Sequence, residues 1–165
     1  MIWNDLATVC FTLLFSVMFE NALHKASHYK ISGKLHRWHK LHHKDYPVKR
    51  LETDVFIDST GVFNNMFAFW IIVTQGVVFC ISSQRVFTIF YIQTTGYSIL
   101  IEYFHQQFHL KESKWLRYRW FRDLKYNHLI HHIKQETNFG ILTRRVDSIN
   151  KTYVKENKNL KVRRT

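Results

Sequence analysis

Residues 36–43 read HRWHKLHH and residues 128–132 read HLIHH, so one chain carries the trio His-x-x-His-His twice, at sites far apart. Two pairs, His24/His28 and His105/His109, accompany the trios, and His36 is the one of the 11 histidines outside these four groups. Spacings of three and four place side chains on one face of an α-helix, so each group reads as a ladder of ligands. Neutral imidazole is the commonest metal ligand, and so many rings without a metal would leave unpaired nitrogens or repelling imidazolium charges. The candidate ligands are therefore His24, His28, His39, His42, His43, His105, His109, His128, His131 and His132. Ten rings exceed the roughly four to six positions of a single transition metal, which makes two ions sharing the set the economical reading. Glu20 and Glu102 stand four and three residues before His24 and His105 on the same faces. They are candidates for acceptors that fix the imidazole tautomers, with polar helix ends at an interface as the alternative. His36, three residues before His39, shares its face.

The elements that must carry these ladders are helices, and three apolar stretches suggest where they begin. Residues 6–19, 62–83 and 86–104 contain no Lys or Arg. The second and third are long enough to cross a bilayer core of roughly 30 Å, while the first is marginal alone. Residues 6–19 lack the flanks of a signal peptide: Asp5 precedes them and histidines follow. All but one of the 24 Lys and Arg fall within 25–50 and 111–164, and the exception, Arg85, sits in the tight SSQR connection. The positive-inside rule then puts both basic blocks, and every histidine with them, on the cytoplasmic face. The expected fold is all-α: an integral membrane bundle of about three transmembrane helices with a cytoplasmic, histidine-rich helical cap holding a di-metal site. The domain is expected over 1–153, followed by a basic, disordered tail at 154–165. Cys10 and Cys80 lie in apolar segments and read as small buried hydrophobes. Pro47 closes the first histidine block.

The order of the four groups resembles the histidine boxes of the fatty acid hydroxylase superfamily of integral-membrane enzymes, which includes sterol desaturases, C-4 methylsterol oxidases and fatty acid, ceramide and carotenoid hydroxylases. FENALH before the first pair and HKLHHKDYPVKRLETDVFID around the second group are similar to the family's flanking stretches. NFGILTRRVDSINKTY resembles its final Asn-x-Gly turn and Trp-Asp segment, which adds Asn138 and Asp147 as residues supporting the site. The resemblance covers roughly residues 20–153. It departs at Val146, where the family has Trp, at Asn150-Lys151, where it has Phe-Gly, and in offering three crossings where members usually have four.

The resemblance implies two iron ions, with zinc the other candidate occupant, O2 as co-substrate, and hydroxylation of a C–H bond in a fatty acyl, sterol or related lipid. Desaturation from the same site is the alternative, and a non-catalytic metal-binding membrane protein is a second one. Imidazole suits iron, which agrees with the ligand reading. Apolar residues such as Phe67, Phe69, Trp70 and Tyr97 either line a lipid route or simply face lipid and neighbouring helices. The chain shows no Gly-x-Gly-x-x-Gly or Cys-x-x-Cys-His signature, so the electrons must come from a separate donor, in the family a cytochrome b5-type protein or ferredoxin. Basic residues including KWLRYRWFR (114–122) would steer an acidic donor. No recognition motif for nucleic acid accompanies that charge. A transporter would place ionisable groups near the midplane of its spans, whereas the histidines lie at one end. The localisation implied is an integral membrane protein, in the endoplasmic reticulum if the source is eukaryotic or viral.

Overall fold

The computed structural model describes residues 2–59 and 66–155, and these are arranged as six α-helices with short connections. Helix α1 spans Ile2–Ser27, α2 Lys34–Asp45, α3 Met66–Ile81, α4 Gln84–Phe108, α5 Arg119–Ile133 and α6 Arg145–Ile149. The one pairing of β type among the described residues is an isolated bridge between Thr53 and Leu110. α2 ends at Asp45 because Pro47 lacks an N–H and forces its predecessor out of helical geometry. Most of the expected tail lies outside the described residues, as does the side chain of Phe67.

The long helices are held in register by contacts that advance together along the chain. Asp5 pairs with Arg85, Phe15 packs on Phe90 at 5.5 Å, and Tyr97 donates to Glu20 at 2.7 Å. α1 and α4 therefore run parallel, and each delivers its histidine pair to the same end. α3 runs against α4: Phe79 meets Phe87 at 5.1 Å, and the Gln75 Nε2 donates to Thr94 and Thr95 at 2.9 and 3.0 Å.

The burial pattern of α1 is inverted relative to a water-soluble protein. Its buried residues are Thr12, Ser16, Glu20, Asn21, His24 and Ser27, a stripe at helical spacing, whereas Phe11, Leu14 and Met18 are more than half exposed. In water an amphipathic helix turns its apolar stripe inward, but against lipid the tails solvate apolar surface and polar groups must find partners inside the bundle. Trp3–Ser27 is long and apolar enough to cross a bilayer. The expectation of three such helices is not matched to the same degree. The described part of α3 has 16 residues, and its apolar stretch Ala68–Ile81 is short for a span. α4 is 25 residues long but carries Gln84, Arg85, Gln93, Glu102 and His105. Cys10 and Cys80 are free and exposed, not buried as expected. In helices this apolar, hydrophobicity does not distinguish the face turned to a neighbour from the face turned outward.

Outside the long helices, Ile101 and Phe108 of α4 pack with Phe121 of α5 and Ile141 in a small apolar core. Trp115, flanked by basic residues, packs against it and donates from its indole to Tyr103 at 2.8 Å. This core pins α5 to the end of α4.

The Gln75 amide is the buried polar link between α3 and α4. Gln75→Ala is expected to destabilise the protein by about 1 kcal/mol, in the range of polar contacts between helices in a bilayer. Thermal denaturation in detergent against the wild type measures this.

A candidate di-metal centre

The histidines of α2 and α5, with His24 and His105 in the last turns of α1 and α4 and His28 and His109 just past their ends, converge at one end of the bundle in two groups. One contains His42, His105, His109, His128 and His132, and the other His24, His28, His39 and His131, with one ring nitrogen from each residue within 4.8 Å of the rest of its group. His43 adjoins the second group, its Nε2 lying 2.9 Å from that of His39, and its ring lies 4.2 Å from that of His132 in the first. All ten candidate ligands are thus brought together.

The two groups do not follow the sequence clusters. Each trio is divided: α2 gives His39 to one group and His42 to the other, while α5 gives His131 to one and His128 with His132 to the other. Residues four apart are turned by about 40° around a helix and adjacent residues by about 100°. His-x-x-His-His therefore presents two neighbouring directions from one helix, and using it twice lets α2 and α5 each serve both groups. α1 serves only one and α4 only the other.

Main-chain carbonyls orient the rings. His24 Nδ1 donates to Phe139 O, His131 Nδ1 to Thr137 O at 2.7 Å, His109 Nδ1 to Leu51 O at 2.9 Å and His132 Nδ1 to Tyr46 O at 3.1 Å. A carbonyl only accepts, so each of these Nδ1 atoms carries the proton and leaves Nε2 as a bare lone pair. The Nε2 atoms of the two groups lie close together: His28 to His131 at 3.2 Å, His42 to His132 at 3.1 Å, His42 to His105 at 3.0 Å and His109 to His128 at 3.0 Å. Imidazole nitrogen binds a transition metal at about 2.0–2.1 Å, so two ligands at right angles stand about 2.9 Å apart. The spacing is that of a coordination edge, and the residues present fit two metal ions.

The carboxylates work one step further out. Glu20 accepts from the backbone N–H of Ile141 and from Tyr97, while Glu102 accepts from Gln106 at 2.9 Å. Asp147, buried, accepts from the N–H groups of Phe139 and Gly140 at 3.0 and 2.8 Å, from Asn21 at 3.2 Å and from Thr152 at 2.7 Å. Glu20 and Asp147 thus fix the turn that aims the Phe139 carbonyl at His24. Asn138 lies in that turn with φ 53, a left-handed conformation asparagine tolerates, and binds both backbone groups of Val154, at 3.0 and 2.8 Å. His36 is outside both groups, its Nδ1 bonded to Ser27 O at 3.0 Å. It lines a cavity of about 350 Å³ with His28, His39, His43 and the exposed Lys30, Lys40 and Lys44. Nothing in residue type or spacing pointed to Tyr46, whose ring stacks on His109 at 3.7 Å and whose hydroxyl ties to Ile57. Its place immediately before Pro47 was the available signal.

A family model described as fatty acid hydroxylase matches residues 9–152. The chain belongs to the fatty acid hydroxylase family. Neither the curated proteins nor the solved structures contain a match to it. In this family member the matched span takes in all ten clustered histidines, and its family and apolar α1 together place it among membrane-associated proteins.

Burial, chiefly, and then the neighbouring histidines hold these rings neutral. His43 is lowered to about 2, chiefly by burial and then by His28, and His28 to about 3 by burial and then by His24 and His36. His42, His128 and His132 are well below the ordinary value for the same leading reason. The rings are therefore ready to bind metal at neutral pH without first losing protons. The sign for stability follows. The unfolded chain takes up protons near pH 6.5 while the folded one does not, so protonation favours unfolding as pH falls. The metal-free protein is expected to be stable above about pH 7 and to lose thermal stability progressively from pH 6.5 to pH 5 in a melting series. Gly140 gives a second check. A Cβ there would stand 2.0 Å from the Thr143 carbonyl oxygen and 3.0 Å from Asp147 Oδ2. Gly140→Ala is expected to cost about 1–3 kcal/mol and to weaken metal retention, read by melting and metal analysis.

Proposed function

We propose that this chain is a membrane-bound, O2-dependent di-iron oxidoreductase that hydroxylates a C–H bond of a lipid, either fatty acyl or sterol-like. The observation that carries the reading is the pair of histidine groups with ring nitrogens at coordination spacing, four of them left proton-free by backbone carbonyls, in a chain of the fatty acid hydroxylase family. Two iron ions bound there would supply oxidation of an unactivated C–H bond with O2, chemistry that side chains alone do not offer. Imidazole is a suitable donor set for iron, and zinc is the competing occupant.

The residues of the chain supply position and environment. His24, His28, His39 and His131, with His43 beside them, hold one ion; His42, His105, His109, His128 and His132 hold the other. The carbonyls of Tyr46, Leu51, Thr137 and Phe139 keep the rings turned inward before metal arrives, so little reorganisation is needed on binding. Phe108 is fully buried with its ring 5.8 Å from that of His128 in the five-histidine group, and the buried Phe121 packs on it at 5.2 Å, an apolar backing that keeps water from that side. A lipid reaches the site laterally from the bilayer, past α1 and α4. A helix of 25 residues is about 38 Å long, so α4 also spans in this reading. The site then faces the cytoplasm, at the endoplasmic reticulum in a eukaryotic or viral setting.

Electrons arrive from a separate acidic donor of the cytochrome b5 or ferredoxin type. The cavity lined by Lys30, Lys40 and Lys44 opens beside His28 and His39, and the stretch 114–122 adds further positive charge. Both favour steering of such a partner.

Lipid analysis of cells expressing the chain, beside cells expressing His131→Ala, tests the reading. The intact chain should yield a lipid that gains one oxygen atom, and the variant should lose at least about 100-fold of that product, since a direct ligand matters no less than its supports. A product lacking two hydrogens instead would assign desaturation. An unchanged lipid profile, with zinc in the purified protein, would replace the enzyme by a metal-binding membrane protein.

A further inference from the structure

A buried cation sits beside the five-histidine group, and neither the family resemblance nor the ligand geometry uses it. Lys125 is 5% exposed, in the middle of α5. Its ammonium pairs with Glu52 at 2.5 Å and donates to the carbonyl of Leu110. A charge is rarely buried without a partner that uses it, and both partners belong to segments that cross next to His109. The Thr53 N–H donates to His109 O at 2.8 Å and the Lys111 N–H to Thr53 O at 2.9 Å, forming the isolated bridge. Residue 51, one step before Glu52, supplies the carbonyl that takes the proton of His109 Nδ1 at 2.9 Å. Lys125 is therefore tied through Glu52 to the connection after α2 and through Leu110 to the end of α4, the two segments whose meeting sets the orientation of His109.

We infer that Lys125 is the positioning residue of the five-histidine group: its ion pair with Glu52 clamps residues 51–53 against the end of α4, so that the Leu51 carbonyl holds His109 with Nε2 directed at its neighbours. Lys125 lies one helical turn before His128 and Leu129, so the clamp and the ligands share one rigid helix. The four-histidine group has no part in it. Its carbonyls come from Thr137 and Phe139, in the turn fixed by Glu20 and Asp147. Loss of the clamp should disturb one metal position and spare the other. This assignment rests on the metal-site reading above.

The test uses the full chain in detergent, with Lys125→Met, Glu52→Gln and Lys125→Arg. Glu52→Gln keeps the shape of the site should Lys125→Met fail to fold. In the metal-free protein, amide hydrogen exchange at Thr53 and Lys111 should quicken by about tenfold or more in the first two variants and little in Lys125→Arg, while exchange in α1 is unchanged. Titration with cobalt(II), followed by its visible spectrum, should show two equivalents in the wild type. One of them should weaken by about 10–100-fold in Lys125→Met and Glu52→Gln, the other should be unaltered, and Lys125→Arg should restore both. Unchanged exchange at Thr53 and Lys111 overturns the clamp. Faster exchange with both cobalt steps intact, or both weakened alike, overturns its role at the five-histidine group. A wild type that takes up no cobalt removes the metal-site reading instead, and the exchange data then decide by themselves whether Lys125 holds the 51–53 segment.

Discussion

An imidazole ring has two nitrogens, and only one can face a metal. For Nε2 to stay inward as a bare lone pair, Nδ1 needs a fixed acceptor behind it, and two irregular segments of this protein meet that need for four of the rings. The connection after α2 presents the carbonyls of Tyr46 and Leu51, and the turn after α5 presents those of Thr137 and Phe139. These segments have buried stretches although they belong to no helix, and their remaining polar groups are tied down by Asp147, Asn138, the Tyr46 hydroxyl and the Thr53 bridge. The four carbonyls thus lend rigidity to rings that would otherwise swing about χ2.

The long helices solve a different problem, that of delivering ligands to one level. α1 and α4 run parallel and are matched along their length by Asp5 with Arg85, Phe15 with Phe90 and Glu20 with Tyr97. His24 and His105 consequently emerge at the same end. The polar stripe of α1 begins at Thr12 and leads through Ser16, Glu20 and Asn21 to His24. In lipid, buried polar groups favour a single packing arrangement because every other arrangement leaves them unpaired. The same stripe that gives α1 its place in the bundle therefore also aims its ligands.

Part of this was legible before any coordinates. The ten histidines could be picked out by crowding and helical spacing alone, because so many titratable rings in one short chain have few uses besides metal. The helical class followed from the same spacings and from the apolar stretches. Two matters were not legible. Glu20 sits one turn before His24, which makes it resemble an acceptor for that ring, yet its carboxylate holds Ile141 and Tyr97. The exposure of Cys10 and Cys80 could not be read from segments that are apolar on every side. In each case, spacing along the helix fixes a direction but not what lies there.

The sequence by itself determined which side chains could bind metal, that they ride on helices, and that the chain has an apolar part and a basic one. Composition and short-range periodicity carry that information because they act within a few residues. The tertiary structure alone decided that each trio is shared between two groups, that backbone carbonyls turn four of the rings, and that Lys125 and Tyr46 stand behind them. Those relations join segments such as Leu51 and His109, or His24 and Phe139. They depend on how helices cross and on where a connection is free to turn, and no local pattern encodes either.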